Sequence, residues 1–223
     1  MLIGTVSQTS LKNFLEEYFH PDHGDHPRHC VLMMAARPDP ATEIILMKPN
    51  FVTTLFYIEG NSLDHTDLGR CLVERADAVI ILSDKFSFDA EHEDTHTILE
   101  AMIIKDYIQK KEITRNEDFD TFVCMQLLRP ESIIHYELSL SKEEIKKDQI
   151  ICIEQVKLSL LAKSCLCPGL VVLITNLIKS SAEPPNSLND KKDDNNFSWL
   201  YNYWNGKKYE IYRIEIPKNY AGK

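Results

Sequence analysis

The chain has 223 residues, with 34 acidic and 25 basic side chains, a formal net charge of −9 and 43% hydrophobic content. It is long enough to bury a full core, and the acidic balance argues against nucleic acid as a partner, because phosphate binding rests on a basic footprint. No apolar run approaches the ~20 residues that span a bilayer; the longest, 169–178, is broken by Thr175 and Asn176. No direct membrane insertion is expected, and residues 1–6 lack the basic start of a secretory signal.

Residues 1–6 read as a short apolar strand and 7–19 as the helix that follows it. Such a pair is the start of a dinucleotide-binding unit, which needs glycine at three places: the tight turn, the approach of the pyrophosphate, and helix–strand packing. Counting from Gly4, the second and third places hold Val6 and Thr9. A β-branched Cβ at Val6 stands where the phosphates must pass. The unit reads as Rossmann-like without a phosphate cradle, and no NAD is expected.

The next stretches alternate strand and helix. Residues 29–35 form a buried-strand run, 41–48 a short helix, and 51–58 a β-branched and aromatic strand. A helix over 63–75 precedes Ala78–Leu82, a continuous apolar run with no polar face, as in a central parallel strand covered on both sides. A long helix over 92–111 carries Ile98, Leu99, Met102, Ile103 and Tyr107 at helical spacing, and 122–128 makes a further strand. This alternation predicts an α/β fold, a doubly wound parallel sheet.

The second part changes character. Ser141 and Glu144 form a capping-box pattern, and Pro168-Gly169 separates two apolar helices, over 143–164 and 169–179. Leu158, Leu160, Leu161, Val171, Val172, Leu173 and Ile174 exceed what one packed face needs, which predicts burial against another subunit or lobe. Residues 180–198 read as a polar loop. The Asn205-Gly206 turn and the alternating run 209–216 read as the start of a new small lobe. The expected organisation is a Rossmann-like subdomain over 1–140, a helical crossover and dimerisation segment over 141–180, a loop over 181–198, and a small C-terminal lobe beginning at 199–223 and expected to be incomplete.

Two clusters carry ligand-type side chains. His20, His23, His26 and His29 with Asp22 and Asp25 could hold a divalent ion, carboxylates favouring Ca²⁺ or Mg²⁺ and imidazoles Zn²⁺ or Ni²⁺; a solvated polar loop is the other reading. The acids of 84–94 follow the fourth strand at the carboxyl edge of the sheet, where ligands bind in this architecture. They equally suit the amino end of the next helix, whose macrodipole favours negative charge. Six cysteines are scattered through apolar stretches and read as reduced core thiols; Cys165 and Cys167 have one residue between them, short of a zinc knuckle. There is no Gly-x-Ser-x-Gly elbow, phosphate-binding loop or His-Glu-x-x-His helix, so no catalytic residue is singled out and no enzyme is expected.

Several stretches, in consistent order, resemble the first RCK domain (regulator of potassium conductance) of Slo-type, large-conductance calcium-activated potassium channels. They are Asn13-Phe-Leu-Glu-Glu-Tyr-Phe-His20, Tyr57-Ile-Glu-Gly-Asn61, Ala76-Asp-Ala-Val-Ile-Ile-Leu-Ser-Asp-Lys85 and Asp89-Ala-Glu-His-Glu-Asp94. Further matches are Ile151-Cys-Ile-Glu-Gln-Val-Lys-Leu158, Ala162-Lys-Ser-Cys-Leu166, Gly169-Leu170, Asn176-Leu177, and Trp199, Gly206 and Glu210-Ile-Tyr212. The resemblance implies a cytoplasmic gating-ring domain of a membrane-embedded channel. Its implied partners are a second RCK domain and the pore-forming transmembrane segments of the same channel, in a homo-oligomer (a dimer or a tetrameric ring). It also implies a Ca²⁺ site on Asp22 and Glu210, supported by Glu17 and His20, with backbone carbonyls near Ser181 and Lys208. The basic residue the family has near Ser181 is absent or displaced to Lys179. The family's weaker Mg²⁺ site falls on His29 and Leu55 and is expected to be lost. Two other readings stand beside it: an RCK-type regulator sensing Na⁺, a nucleotide or pH, and a Rossmann-type NAD-dependent oxidoreductase.

Overall fold

The computed structural model describes residues 1–4, 7–23, 28–139, 148–180, 198–207 and 209, without the side chains of Asp22 and Ser198. Its strands are β1 (Leu2–Gly4), β2 (Cys30–Met34), β3 (Leu55–Glu59), β4 (Ala78–Leu82), β5 (Phe122–Leu127) and β6 (Gln149–Cys152). Its α-helices are α1 (Gln8–Tyr18), α2 (Pro40–Leu46), α3 (His65–Arg70), α4 (Ala90–Arg115), α5 (Glu131–Ser139), α6 (Ile153–Leu166), α7 (Leu170–Ile178) and α8 (Ser198–Lys207).

The six strands form one sheet in the order β3-β2-β1-β4-β5-β6, and every pairing is parallel. The order reverses between β1 and β4, the switch point of a doubly wound sheet. Both faces are covered at β1 and β2, where the successive residues Leu2 and Ile3, and Leu32 and Met33, are all buried. Strands β4 and β5 bury one face fully (Val79, Ile81, Val123, Leu127) and leave the alternate residues half-buried, short of the two-sided cover expected for Ala78–Leu82. Over one face lies α4, which sends Ile98, Ala101, Ile104 and Ile108 into the core cluster with Ile3, Met33 and Met125. These helical positions recur every three or four residues, the period that puts them on one stripe.

Polar side chains fix where the elements begin and end. Asp89 caps α4 by accepting from the His92 amide at 3.0 Å, so the helix starts at Ala90, ahead of the expected 92; it closes on Asn116 in the left-handed region at φ 52°. Asp148 accepts from the Tyr136 hydroxyl at 2.8 Å and the Val123 amide at 3.2 Å, and pairs with Lys105. That carboxylate ties β5, α4 and α5 to the entry of β6. Among the described residues, no helix is long and apolar enough to cross a membrane.

Three expected elements are redrawn. The helix expected over 63–75 is the short α3 followed by a 3₁₀ turn at Val73–Arg75, because Leu72 takes a left-handed backbone (φ 51°) that a helix cannot propagate. Residues 149–152, expected within a helix, pair with β5 as the sheet's edge strand. Asn205 and Gly206, expected as a turn, lie inside α8. Of the strand expected over 209–216, all but Tyr209 lies outside the described residues.

The chain divides into two compact units. The first, Met1–Glu16 with Asp25–Ser159, contains the sheet and its core. The second, Glu17–Gly24 with Leu160–Lys223, contains α7 and α8, joined by a hydrogen bond from the Asn176 side-chain amide to the Tyr203 hydroxyl at 3.0 Å. No residue of α6 or α7 is buried.

Candidate functional site

In this fold a phosphate is taken at the carboxyl end of β1, where Gly4 stands. Gly4 has φ +112°, and a Cβ there would stand 2.1 Å from the Leu82 carbonyl oxygen. The glycine therefore lets the carboxyl ends of β1 and β4 close on one another. At the first turn of α1, the Ser10 amide donates to Ser7 Oγ at 3.3 Å and the Leu11 amide to the Ser7 carbonyl at 2.9 Å. The Ser7 hydroxyl thus takes one of the free amides of the helix start. Thr9 lies exposed within α1, and Val6 is outside the described residues.

The acids after β4 are largely structural. Asp89 is the α4 cap, Glu93 Oε1 accepts from the Asp84 amide at 2.8 Å, and Glu91 pairs with Arg129 at 3.0 Å. Asp94, only 1% exposed, accepts from the amides of Leu128 at 2.7 Å and Arg129 at 2.9 Å. Its carboxylate holds the turn after β5 against α4, a charge-assisted arrangement stronger than neutral hydrogen bonds.

The second unit gathers part of the histidine-rich segment. Residues Pro21–His23 make a 3₁₀ turn just after α1. Glu17, on the last turn of α1, accepts from the Ser180 amide at 3.1 Å and the Ser180 hydroxyl at 2.6 Å. His23 Nε2 lies 3.4 Å from Glu17 Oε1 and 3.2 Å from Ser180 Oγ. Partial burial pushes the Glu17 carboxyl up, but the hydrogen bonds from Ser180 and then His23 outweigh it and hold its pKa below the usual 4.5. This contact joins positions 163 apart in sequence, and no local pattern could have disclosed it. The His20 ring lies edge-on to that of His23, with centroids 6.1 Å apart.

Other expected ligands fall differently. Asp25, His26, Ser181, Lys208 and Glu210 lie outside the described residues, as does the Asp22 side chain. His29 is exposed, its ring 6.0 Å from that of Phe56, while Leu55 is 6% exposed at the head of β3 and offers no donor. Among the described residues, no group of three or more His, Cys, Asp or Glu side chains could hold a metal ion. All six cysteines are free; Cys30 and Cys152 are buried, Cys71 and Cys124 partly so, and Cys165 and Cys167 exposed. Burial pushes the Cys30 thiol pKa up, which makes it an inert core group.

A six-stranded, all-parallel sheet whose order reverses between β1 and β4 defines a Rossmann-like fold. The family model for the calcium-activated potassium channel slowpoke-like RCK domain matches residues 1–122, and that of the calcium-activated BK potassium channel alpha subunit matches 148–223. The chain belongs to the slowpoke-like RCK domain family. Along all of its length it is 27% identical to the calcium-activated potassium channel slowpoke of Drosophila melanogaster and to slo-1 of Caenorhabditis elegans. It spans only 17% and 18% of those proteins. The solved structure of the human SLO3 gating ring aligns with 82% of this chain, over 29% of its own, at 21% identity and a TM-score of 0.59. That likeness carries the fold.

Proposed function

We propose that this chain is a cytoplasmic gating-ring domain of a calcium-activated potassium channel, coupling Ca²⁺ binding and RCK–RCK assembly to pore opening. Its partners are a second RCK domain and the pore-forming segments of the same channel. The observation that carries the reading is the pair α6–α7 in a chain of this family. Val156, Leu158, Leu161, Val171, Val172 and Leu173 are each 44–56% exposed, and Leu166 and Ile178 more so. Covering one such side chain contributes up to about 1.5–3 kcal/mol, so each of these helices favours association. Membership of a channel regulatory-domain family supports a regulatory part.

Asp22 and Glu210 are the residues that would hold Ca²⁺. The ion would supply a hard, multiply coordinating charge that draws carboxylates and carbonyls together. Glu17 contributes by position: its oxygens accept from Ser180, which anchors the end of α1 next to the turn that carries Asp22. Because Asp22 and Glu210 are far apart in sequence, an ion shared between them restrains two segments at once. Such binding shifts a conformational equilibrium only by its preference for one state.

Calorimetric titration with Ca²⁺ tests the site. Saturable binding that is lost in both Asp22→Ala and Glu210→Ala is the expected outcome. Binding that survives both substitutions unchanged, or no binding at all, overturns the assignment.

A further inference from the structure

The carboxyl ends of β1, β2, β3 and β4 border a cleft of about 400 Å³ at the switch point of the sheet. Open α/β sheets bind their ligands at this place, and the volume is in the usual range for a small-molecule site. Its lining is chemically one-sided. Glu93, His96 and Glu100 enter from one face of α4, three and four residues apart, and no Lys or Arg is among the described lining residues. The nearby Arg37 is 89% exposed at its side chain and faces Glu59 at 3.8 Å.

Glu100 decides the chemistry. It is 6% exposed, and its Oε1 accepts from the Ser62 hydroxyl at 2.5 Å. Its Oε2 lies 3.7 Å from His96 Nδ1, beyond hydrogen-bond distance, and accepts no hydrogen bond from the described residues. A carboxylate more than nine-tenths buried thus presents one unfilled oxygen to a cavity far larger than a single water needs. Burial, opposed by the Ser62 hydrogen bond and the nearby His96, pushes its pKa up, the cost of holding this charge away from water with His96 at 3.7 Å as its ion-pair partner among the described residues. Glu93 adds a second carboxylate, held in place by the Asp84 amide.

We propose that this cleft binds a small organic cation, an ammonium or guanidinium group seated on Glu100 and Glu93 with its apolar stem along Met34 and Leu63. A donor-bearing cation fills the open oxygen and offsets the acidic lining. A phosphate meets carboxylates here, and the first turn of α1 that would cradle it contributes nothing to the lining. A metal ion has too few ligating groups among the described residues. All the residues involved lie in the first unit, so the site is independent of Asp22 and Glu210.

Calorimetry on the chain with agmatine, which carries both a guanidinium and an ammonium group, tests the proposal, with AMP as comparator. Agmatine is expected to bind saturably at one site, and Glu100→Gln to weaken it by about tenfold or more, the loss of a charge-assisted hydrogen bond. Gln retains the volume and an oxygen for Ser62, and an unchanged melting temperature and circular dichroism spectrum show that the fold survives. Glu91→Gln, an acid of α4 outside the cleft, and Asp22→Ala leave agmatine binding unchanged. No saturable binding up to about 10 mM, equal affinity in Glu100→Gln, or binding of AMP in place of agmatine overturns the proposal.

Discussion

The sheet unit and the helical unit solve opposite problems. In the first, the strands and α4 bury a common core, helices are capped, and carboxylates such as Asp94 and Asp148 are committed to backbone amides and hydroxyls, while Phe86, Phe88 and Leu138 stay exposed. In the second, α7 leaves its apolar residues at the surface, and the described polar contacts include local helix bonds together with the long-range contact of Glu17 with Ser180. The first unit has a buried core, whereas no residue of α7 is buried. On the function proposed above, the first is the scaffold and the second the surface that meets a partner.

That contrast can be broken from the scaffold side first. Gly4→Ala forces a Cβ onto the Leu82 carbonyl at a backbone angle that side chains rarely adopt, and is expected to cost about 4 kcal/mol or more by adding strain to overpacking. Chemical denaturation measures it; a loss under about 1 kcal/mol would mean that the β1–β4 contact is looser than described. Asp94→Ala leaves the amides of Leu128 and Arg129 without their acceptor and is expected to cost about 3 kcal/mol. The same denaturation curves decide it.

The second unit should respond more weakly. Ser180→Ala removes the hydroxyl donor to Glu17 but keeps the amide, so about 1 kcal/mol is expected, with Ser180→Thr restoring part of it. A subtler test lies in the pH dependence. The raised pKa of Glu100 means that below 4.5, its value in the open chain, both states hold the proton and no penalty arises. Stability is then lost as pH rises through the higher folded value. Glu100→Gln should remove that decline, so wild type and variant diverge between acid and neutral pH in favour of the variant. Parallel curves would remove the buried charge from the account.

The parallel sheet was legible because Ala78–Leu82 is a continuous apolar run, although the strand buries only Val79 and Ile81 fully and leaves Ala78, Ile80 and Leu82 half-buried. The edge strand Gln149–Cys152 was not, since a short run that leads directly into a helix carries a helix-like pattern. Asn205-Gly206 has the composition of a turn yet lies inside the helix Ser198–Lys207, where a dipeptide signal yields to the structure around it. At the sites, the capping role of Asp89 could be read from its place before a helix. The spacing of Glu93, His96 and Glu100 was also present in the sequence, but a cleft appears only when four strand ends converge on that face. The contact between Glu17 and Ser180 depends on tertiary structure alone.

Sedimentation velocity over a range of concentrations tests most directly whether the second unit is an assembly surface. The account predicts dimers or larger species for the chain, reverting to monomer in a Leu161→Asp, Leu173→Asp variant whose folding stability stays within about 0.5 kcal/mol per exposed substitution. A chain that remains monomeric at every concentration, or a variant that assembles as well as the parent, would contradict it.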